Sequence, residues 1–213
     1  IVYSKIRDGV GGRIRAFISG GGPLSRELAE FFWAVGVPVY QGYGLTETSP
    51  VVSANYPSAN KVGTVGRPIA NVGVRIAEDG EIFVQGPCVM KGYYQKPEET
   101  RAVISTDGWL ATGDIGLLDD DGYLYVTDRK KDMFKTAAGK FVAPQPIENQ
   151  LKSSPLVLNA VLVGDKHKFI SALIVPNFAN VEAAARQQGR TFASREQLAS
   201  DPWVHDLIGK EVA

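Results

Sequence analysis

Arg13-Ile-Arg-Ala-Phe-Ile-Ser19, then Gly20-Gly-Gly-Pro23, then a run in which Leu28, Phe31, Phe32 and Val35 recur at helical spacing: this stretch decides the class of fold. Residues 13–19 read as a buried strand that breaks at the glycines. Ser25 is a good N-cap, and the apolar positions behind it predict an amphipathic helix. Gly36 and Pro38 stop that helix. Val37 to Gln41 reads as a second strand, feeding Gly42-Tyr-Gly-Leu-Thr-Glu47. Strand, helix and strand joined by short links predict an α/β sheet with helices packed on it.

Outward from there the pattern changes. From about Gly63, Val72-Gly-Val-Arg-Ile-Ala and Glu81-Ile-Phe-Val-Gln flank Asp79-Gly80, a hairpin signal. Ile115-Gly-Leu-Leu and Tyr123-Leu-Tyr-Val flank Asp121-Gly122 in the same way, and Pro97-Glu-Glu-Thr between the hairpins begins a short helix. This part reads as an antiparallel sheet or a small barrel. Asp128-Arg-Lys-Lys-Asp132 is a charged break, and we place a boundary near Arg129. Beyond it we expect a hairpin over 132–142, a helix from near Pro146, and strands over Val157–Gly164 and Phe169–Val175. Further helices are expected near Asn180–Gln188, from Ser194 (a capping box with Gln197), and from Asp201-Pro202. The expected division is 1–60, 61–128 and 129–213.

Composition narrows the function classes. The 213 residues are 44% hydrophobic and 22% charged, which is globular rather than disordered. Lys plus Arg and Asp plus Glu are 23 each, and the pI is about 6.9, so no bulk charge favours nucleic acid or an anionic membrane. The single cysteine, Cys88, rules out an internal disulfide and a four-cysteine zinc site, and it reads as a buried small hydrophobe. His167 and His205 carry no partner pattern and read as surface residues. Apolar runs fall well short of the about 20 residues of a membrane span, and no signal-peptide pattern is present. The chain opens at Ile1 in a strand-like sequence, without Met, so a piece of a longer protein is expected.

Four motifs could carry chemistry, and each has a plain alternative. Gly20-Gly-Gly-Pro-Leu-Ser25 would let backbone approach a flat ligand, or is a tight strand-to-helix turn. Tyr40-Gln-Gly-Tyr-Gly-Leu-Thr-Glu47 begins like a dinucleotide fingerprint but has Glu47 where the third glycine belongs. A carboxylate there repels pyrophosphate unless a magnesium ion lies between them. The alternative makes Thr46 an N-cap and Glu47 a first-turn acid. In Asp107-Gly-Trp-Leu-Ala-Thr-Gly-Asp114, an Asp at a strand turn can accept from vicinal ribose hydroxyls, or the segment is two turns around a core Trp109. In Asp128-Arg-Lys-Lys-Asp-Met-Phe-Lys135, Arg129 could donate to ribose or phosphate, or the run is a solvated linker. Neither Gly139-Lys140 nor Gly209-Lys210 is followed by Ser or Thr, so no Walker loop exists.

Taken together, in this order and spacing, the motifs resemble the acyl-adenylate-forming superfamily of acyl-CoA synthetases, luciferases and peptide-synthetase adenylation domains. Gly63-Thr-Val-Gly-Arg-Pro adds to the match. The run Asp107 to Lys131 resembles the fatty-acyl-CoA synthetase signature. Lys135 to Asn149 and Phe169-Ile-Ser-Ala-Leu-Ile-Val-Pro resemble the long-chain branch.

The resemblance covers essentially the whole chain and implies a fold: the end of a large α/β domain, an antiparallel β subdomain, and a small, mobile α+β lid. It implies a reaction, in which a long-chain fatty acid attacks ATP to give acyl-AMP and coenzyme A then displaces AMP; the alternatives are an aryl- or medium-chain acyl-CoA ligase, a fatty acyl-AMP ligase, or a non-catalytic nucleotide-binding module. It also implies roles. Gly20, Gly21 and Gly22 would line the adenylate site, with Gln41, Gly42, Tyr43, Gly44 and Leu45 as its other wall. Thr46 would contact phosphate and Glu47 would hold Mg²⁺. Asp114 and Arg129 would bind ribose. Lys131 would be the hinge, Lys135 would face the adenylate during thioester formation, and Gly139 would lie on the coenzyme A path. The family's phosphate loop and its catalytic lysine are expected outside residues 1–213. A nucleic-acid partner is not expected. A cytoplasmic location is, with peripheral membrane attachment consistent with a substrate that partitions into bilayers.

Overall fold

The fold is that of a computed structural model describing residues 2–212, and it divides into two units that meet at Lys130 and Lys131. The first unit opens with helix α1 (Val2–Gly9). The strand-like reading of this opening is corrected: Tyr3, Ile6 and Val10 repeat three and four apart, which is a helical period, and Gly11 and Gly12 end it at positive φ.

Strand β1 (Phe17–Ser19) is shorter than the expected 13–19. It pairs in parallel with β2 (Val39–Gly44), in the register Phe17↔Val39 to Ser19↔Gln41. Pro38 precedes β2 and has no N–H to extend the ladder, although its carbonyl accepts from Phe17 N–H at 2.9 Å. Helix α2 (Arg26–Ala34) links the two strands, with Ser25 accepting from Leu28 N–H as its N-cap. Ala29 and Val35 are buried, whereas Leu28 and Phe31 of the expected apolar face stay about half exposed, at 47% each.

Strand β2 runs on through Gly42 and Gly44, past the expected end at Gln41. The reason is β3 (Val51–Ala54), which lies so close that a Cβ on Gly44 would sit 1.6 Å from the Pro50 carbonyl oxygen. Strand β4 (Arg67–Pro68) completes an order β1-β2-β3-β4, so the first sheet reaches past residue 60.

The second sheet is antiparallel throughout, in the order β5-β6-β7-β8: β5 (Gly73–Ile76), β6 (Glu81–Gln85), β7 (Leu110–Leu118) and β8 (Leu124–Arg129). Both Asp-Gly turns join neighbouring strands, and helix α3 (Pro97–Val103) lies between β6 and β7. An open sheet, not a barrel, is what forms. Val52 of β3 packs with Ile82, Val84 and Leu124 of the second sheet, so one core unites both sheets. Cys88 is only half-buried, which departs from its expected burial, and Trp109, the core residue of the plain alternative for its motif, is half-buried too.

The second unit has a short hairpin, β9 (Phe134–Lys135) with β10 (Phe141–Val142), and then helix α4 (Pro144–Leu151). That helix starts at Pro144 rather than Pro146, since a proline in the first turn loses no helical hydrogen bond. Strands β11 (Val157–Val163) and β12 (Ser171–Pro176) pair antiparallel, and Glu148 of α4 accepts from Leu162 N–H at 2.8 Å. Helices α5 (Phe178–Gln187), α6 (Arg195–Ser200) and α7 (Pro202–Val212) follow. Ser194 caps α6 as expected, but Gln197 reaches back to Ala193 N–H rather than to Ser194. Val181, Leu198 and Val204 form a separate core with Trp203 against it. His167 and His205 are both exposed. Among the described residues no helix is long and apolar enough to cross a membrane.

Candidate functional site

Asp114 is the buried centre of a partly exposed polar cluster in the first unit. It faces Arg129 across the β7–β8 ladder and is only 5% exposed. Its Oδ1 accepts from Arg129 Nε at 3.2 Å, and its Oδ2 accepts from the Tyr43 hydroxyl at 2.7 Å. Tyr43 comes from β2, so the cluster also ties one sheet to the other. Thr112 steadies it: its hydroxyl donates to the Ile82 carbonyl at 2.7 Å and accepts from Asp114 N–H at 3.1 Å. Burial pushes the Tyr43 phenol well above its ordinary range, with Asp114 adding to the effect while Thr112 and Arg129 oppose it. Tyr43 therefore stays protonated and donates at neutral pH. An ionised carboxylate offers about four acceptor positions, so Asp114 keeps capacity after these two bonds.

The glycine motifs lie side by side. Ser19 pairs with Gln41, which brings Gly20 next to Gly42; a Cβ on Gly20 would sit 3.5 Å from the Gly42 carbonyl oxygen. Gly21 has φ +78°, and nothing lies within 4 Å of where a Cβ would stand on it or on Gly22. Gly20, Gly21 and Gly22 are thus an open backbone edge beside Gln41 to Leu45.

A single 3₁₀ turn, Thr46–Thr48, follows β2. Leu45, not Thr46, stands at its N-cap, because buried Thr48 accepts from Leu45 N–H at 3.0 Å. Thr46 is left exposed. The Glu47 carboxylate accepts from the Tyr93 hydroxyl at 3.0 Å.

Glu47 and Tyr93 line a cleft of about 370 Å³ together with Leu45, Glu81, Thr112 and Lys130. Glu81 is buried and accepts from Gly113 N–H at 3.0 Å and from the Lys130 ammonium at 2.6 Å. Lys130 also pairs with Asp79 at 2.7 Å, and the two carboxylates hold its pKa well above the ordinary lysine range. Among the described residues no three His, Cys, Asp or Glu side chains form a metal-binding group. A single hard oxygen ligand at Glu47 nevertheless suits Mg²⁺, which takes one or two carboxylates plus substrate phosphates.

The sequence motifs contain Glu47, Tyr43, Asp114 and Arg129, and the fold brings the last three into direct contact. Tyr93, Glu81, Thr112 and Lys130 escape sequence reading. Lys130 sits in the charged run beside Arg129, and Glu81 opens β6 with no sequence signal of its own.

In the second unit Lys131 is exposed at the start of the segment. Lys135 pairs with Phe141 in the hairpin, and its ammonium lies 5.2 Å from that ring's centre. Gly139 turns the hairpin at φ +83°, with Thr136 and Lys140 bonded across it.

A family model described as AMP-binding enzyme matches residues 4–94, and one described as AMP-binding enzyme C-terminal domain matches residues 131–197. The chain belongs to this AMP-binding, acyl-adenylate-forming family. Among relatives, it is 44% identical to the long-chain-fatty-acid–CoA ligase FadD15 of Mycobacterium bovis over 99% of this chain and 34% of that protein. It also resembles two solved structures of the Bacillus subtilis O-succinylbenzoate coenzyme A synthetase MenE. The complex with ATP and magnesium gives a TM-score of 0.69 at 36% identity, covering 77% of this chain and 37% of that one. The complex with AMP gives 0.71 at 29% identity, covering 99% and 43%. The chain spans about a third of the length of the curated relatives it matches.

Proposed function

We propose that this chain supplies part of the adenylate site, and the pivoting segment, of a ligase. That ligase activates a long-chain fatty acid with ATP and then forms its coenzyme A thioester. One observation carries the reading: Asp114 is buried, fixed by Tyr43 and Arg129, and still able to accept two more hydrogen bonds. Vicinal ribose hydroxyls are two such donors. Fixing the ribose would hold the α-phosphorus in line with the attacking carboxylate.

The remaining roles follow the matched positions. Gly20, Gly21 and Gly22 offer backbone to the flat adenine and acyl-adenylate, and Gln41, Gly42, Gly44 and Leu45 form the facing wall. Exposed Thr46 donates to a phosphate oxygen. Glu47 would hold a magnesium ion, which when bound neutralises phosphate charge. Lys131 provides the backbone pivot, Lys135 serves the thioester step, and Gly139 leaves room along the pantetheine path. The 44% identity to a long-chain-fatty-acid–CoA ligase supports the choice of substrate. Because such acids partition into bilayers, the reading includes a cytoplasmic enzyme that meets its substrate at a membrane surface.

The test is AMP release from ATP, Mg²⁺, coenzyme A and palmitate by the natural polypeptide that carries this chain. Asp114→Asn is expected to slow fatty acid-dependent pyrophosphate release by about 10–100-fold, the worth of charge-assisted hydrogen bonds. An unchanged rate would remove Asp114 from the site. No AMP with any fatty acid, from folded protein, would move the reading to another carboxylate class or to nucleotide binding alone.

A further inference from the structure

Two glutamates line the cleft of the first unit, and they are held in opposite ways. Glu81 is buried and occupied: Gly113 N–H donates to its Oε1 and the Lys130 ammonium to its Oε2. Glu47 is half-buried, and its partner is a phenol, the Tyr93 hydroxyl at 3.0 Å. An ammonium cancels a carboxylate's charge. A neutral hydroxyl fixes its direction, occupies one of about four acceptor positions and leaves the full negative charge for a cation.

Tyr93 is itself held in place. Its N–H donates to the Thr100 hydroxyl at 2.9 Å, and that hydroxyl donates to the Lys96 carbonyl at 2.8 Å. Lys96 N–H returns to the Tyr93 carbonyl at 3.2 Å. Gly92 just before it has φ +143°, and a Cβ there would sit 2.7 Å from the Thr100 methyl. The segment is fastened to the Glu47 turn a second time, since Met90 N–H donates to the Glu47 carbonyl at 2.8 Å. Glu47 is therefore gripped at its backbone and at its carboxylate by residues of one short loop.

We propose that Tyr93 is a positioning residue for Glu47, aiming its carboxylate at the magnesium ion that accompanies ATP, with Thr100 setting the position of Tyr93. This rests on the reading of Glu47 as a magnesium ligand. Hydrogen bonds behind a metal ligand typically carry 10–100-fold in metal affinity.

The experiment is calorimetric titration of ATP, without fatty acid, into the natural polypeptide carrying this chain. It is repeated over a series of Mg²⁺ concentrations, with thermal midpoints measured alongside. The readout is the Mg²⁺ concentration that gives half of the full enhancement in ATP affinity. Tyr93→Phe is expected to raise it about tenfold, while ATP affinity at saturating Mg²⁺ stays near wild type. Thr100→Val is expected to raise it by less, and it carries the test should Tyr93→Phe not fold. Glu47→Ala should raise it most.

If Glu47→Ala shifts the Mg²⁺ requirement and neither Tyr93→Phe nor Thr100→Val does, the positioning role is overturned and the metal site stands. A lowered thermal midpoint with an unchanged Mg²⁺ requirement overturns it in the same way. If Glu47→Ala leaves the requirement unchanged, the metal reading fails, and the role of Tyr93 fails with it.

Discussion

A half-buried phenol that keeps its proton is the fixed donor on which Asp114 depends. Desolvation of Tyr43 works against the phenolate, so its titration lies above the ordinary value of 10.0. Loss of that donor would come only as the pH rises past the raised value. Nucleotide binding should therefore show no tyrosine-linked change between pH 7 and 10. Tyr43→Phe should weaken ATP binding about 10–100-fold, the worth of one hydrogen bond to a charged group in a partly buried site, as titration calorimetry would detect.

At this scale the sequence motifs contain the groups of distinctive chemistry, Glu47, Asp114 and Arg129. They do not reveal Tyr93, which is 46 positions from its partner and meets it only through the fold. Nor do they reveal the switch of cap from Thr46 to Leu45, because that depends on Thr48 being buried and turned back on the chain.

Elements carry a different kind of constraint. Gly44 lies in β2 against the Pro50 carbonyl, so Gly44→Ala forces backbone apart and should destabilise by at least about 3 kcal/mol in urea denaturation. Gly22→Ala meets nothing within 4 Å and should leave the denaturation midpoint nearly unchanged.

The end of β8 is anchored by Lys130, which bridges Asp79 and Glu81. Lys130 is the main reason the Asp79 carboxylate titrates below its ordinary value of 3.8. A depressed carboxylate contributes stability above its unfolded pKa and loses it as the pH falls through the folded one. The wild type should therefore lose urea resistance faster than Lys130→Met below about pH 4, while the difference between them stays constant from pH 5 to 9.

Turn chemistry made both Asp-Gly hairpins readable in advance. The continuation of β2 through two glycines was not readable, because only the approach of β3 explains it. The strand-like opening misled because Ile1, Val2 and Tyr3 are residue types that favour strands, while the spacing of Tyr3, Ile6 and Val10 is helical.

For the molecule as a whole, the division at Lys130 and Lys131 matters most. One side of it is tied down, since Lys130 N–H donates to the Gly113 carbonyl at 2.8 Å and its side chain pairs twice more. The next residue, Lys131, is exposed. Lys131→Pro stiffens that backbone and should spare adenylation while slowing thioester formation at least tenfold; single-turnover assays of the two half-reactions would separate them. Equal loss of both would count against a pivot there.

The α/β start, the antiparallel middle and the mixed final segment were all legible in hydrophobic period and turn residues. The sharing of one core by two sheets was not, since Val52 and Leu124 are brought together only by tertiary packing.

The two cores described above have an optical consequence. Trp33 and Trp109 belong to the first unit, and Trp203 packs against the core of the second beneath the Arg190 guanidinium. Each half of the chain thus carries its own intrinsic fluorophore. With Trp203→Phe, or with Trp33 and Trp109 both replaced by Phe, emission would report the melting of one half at a time and show whether the halves melt together.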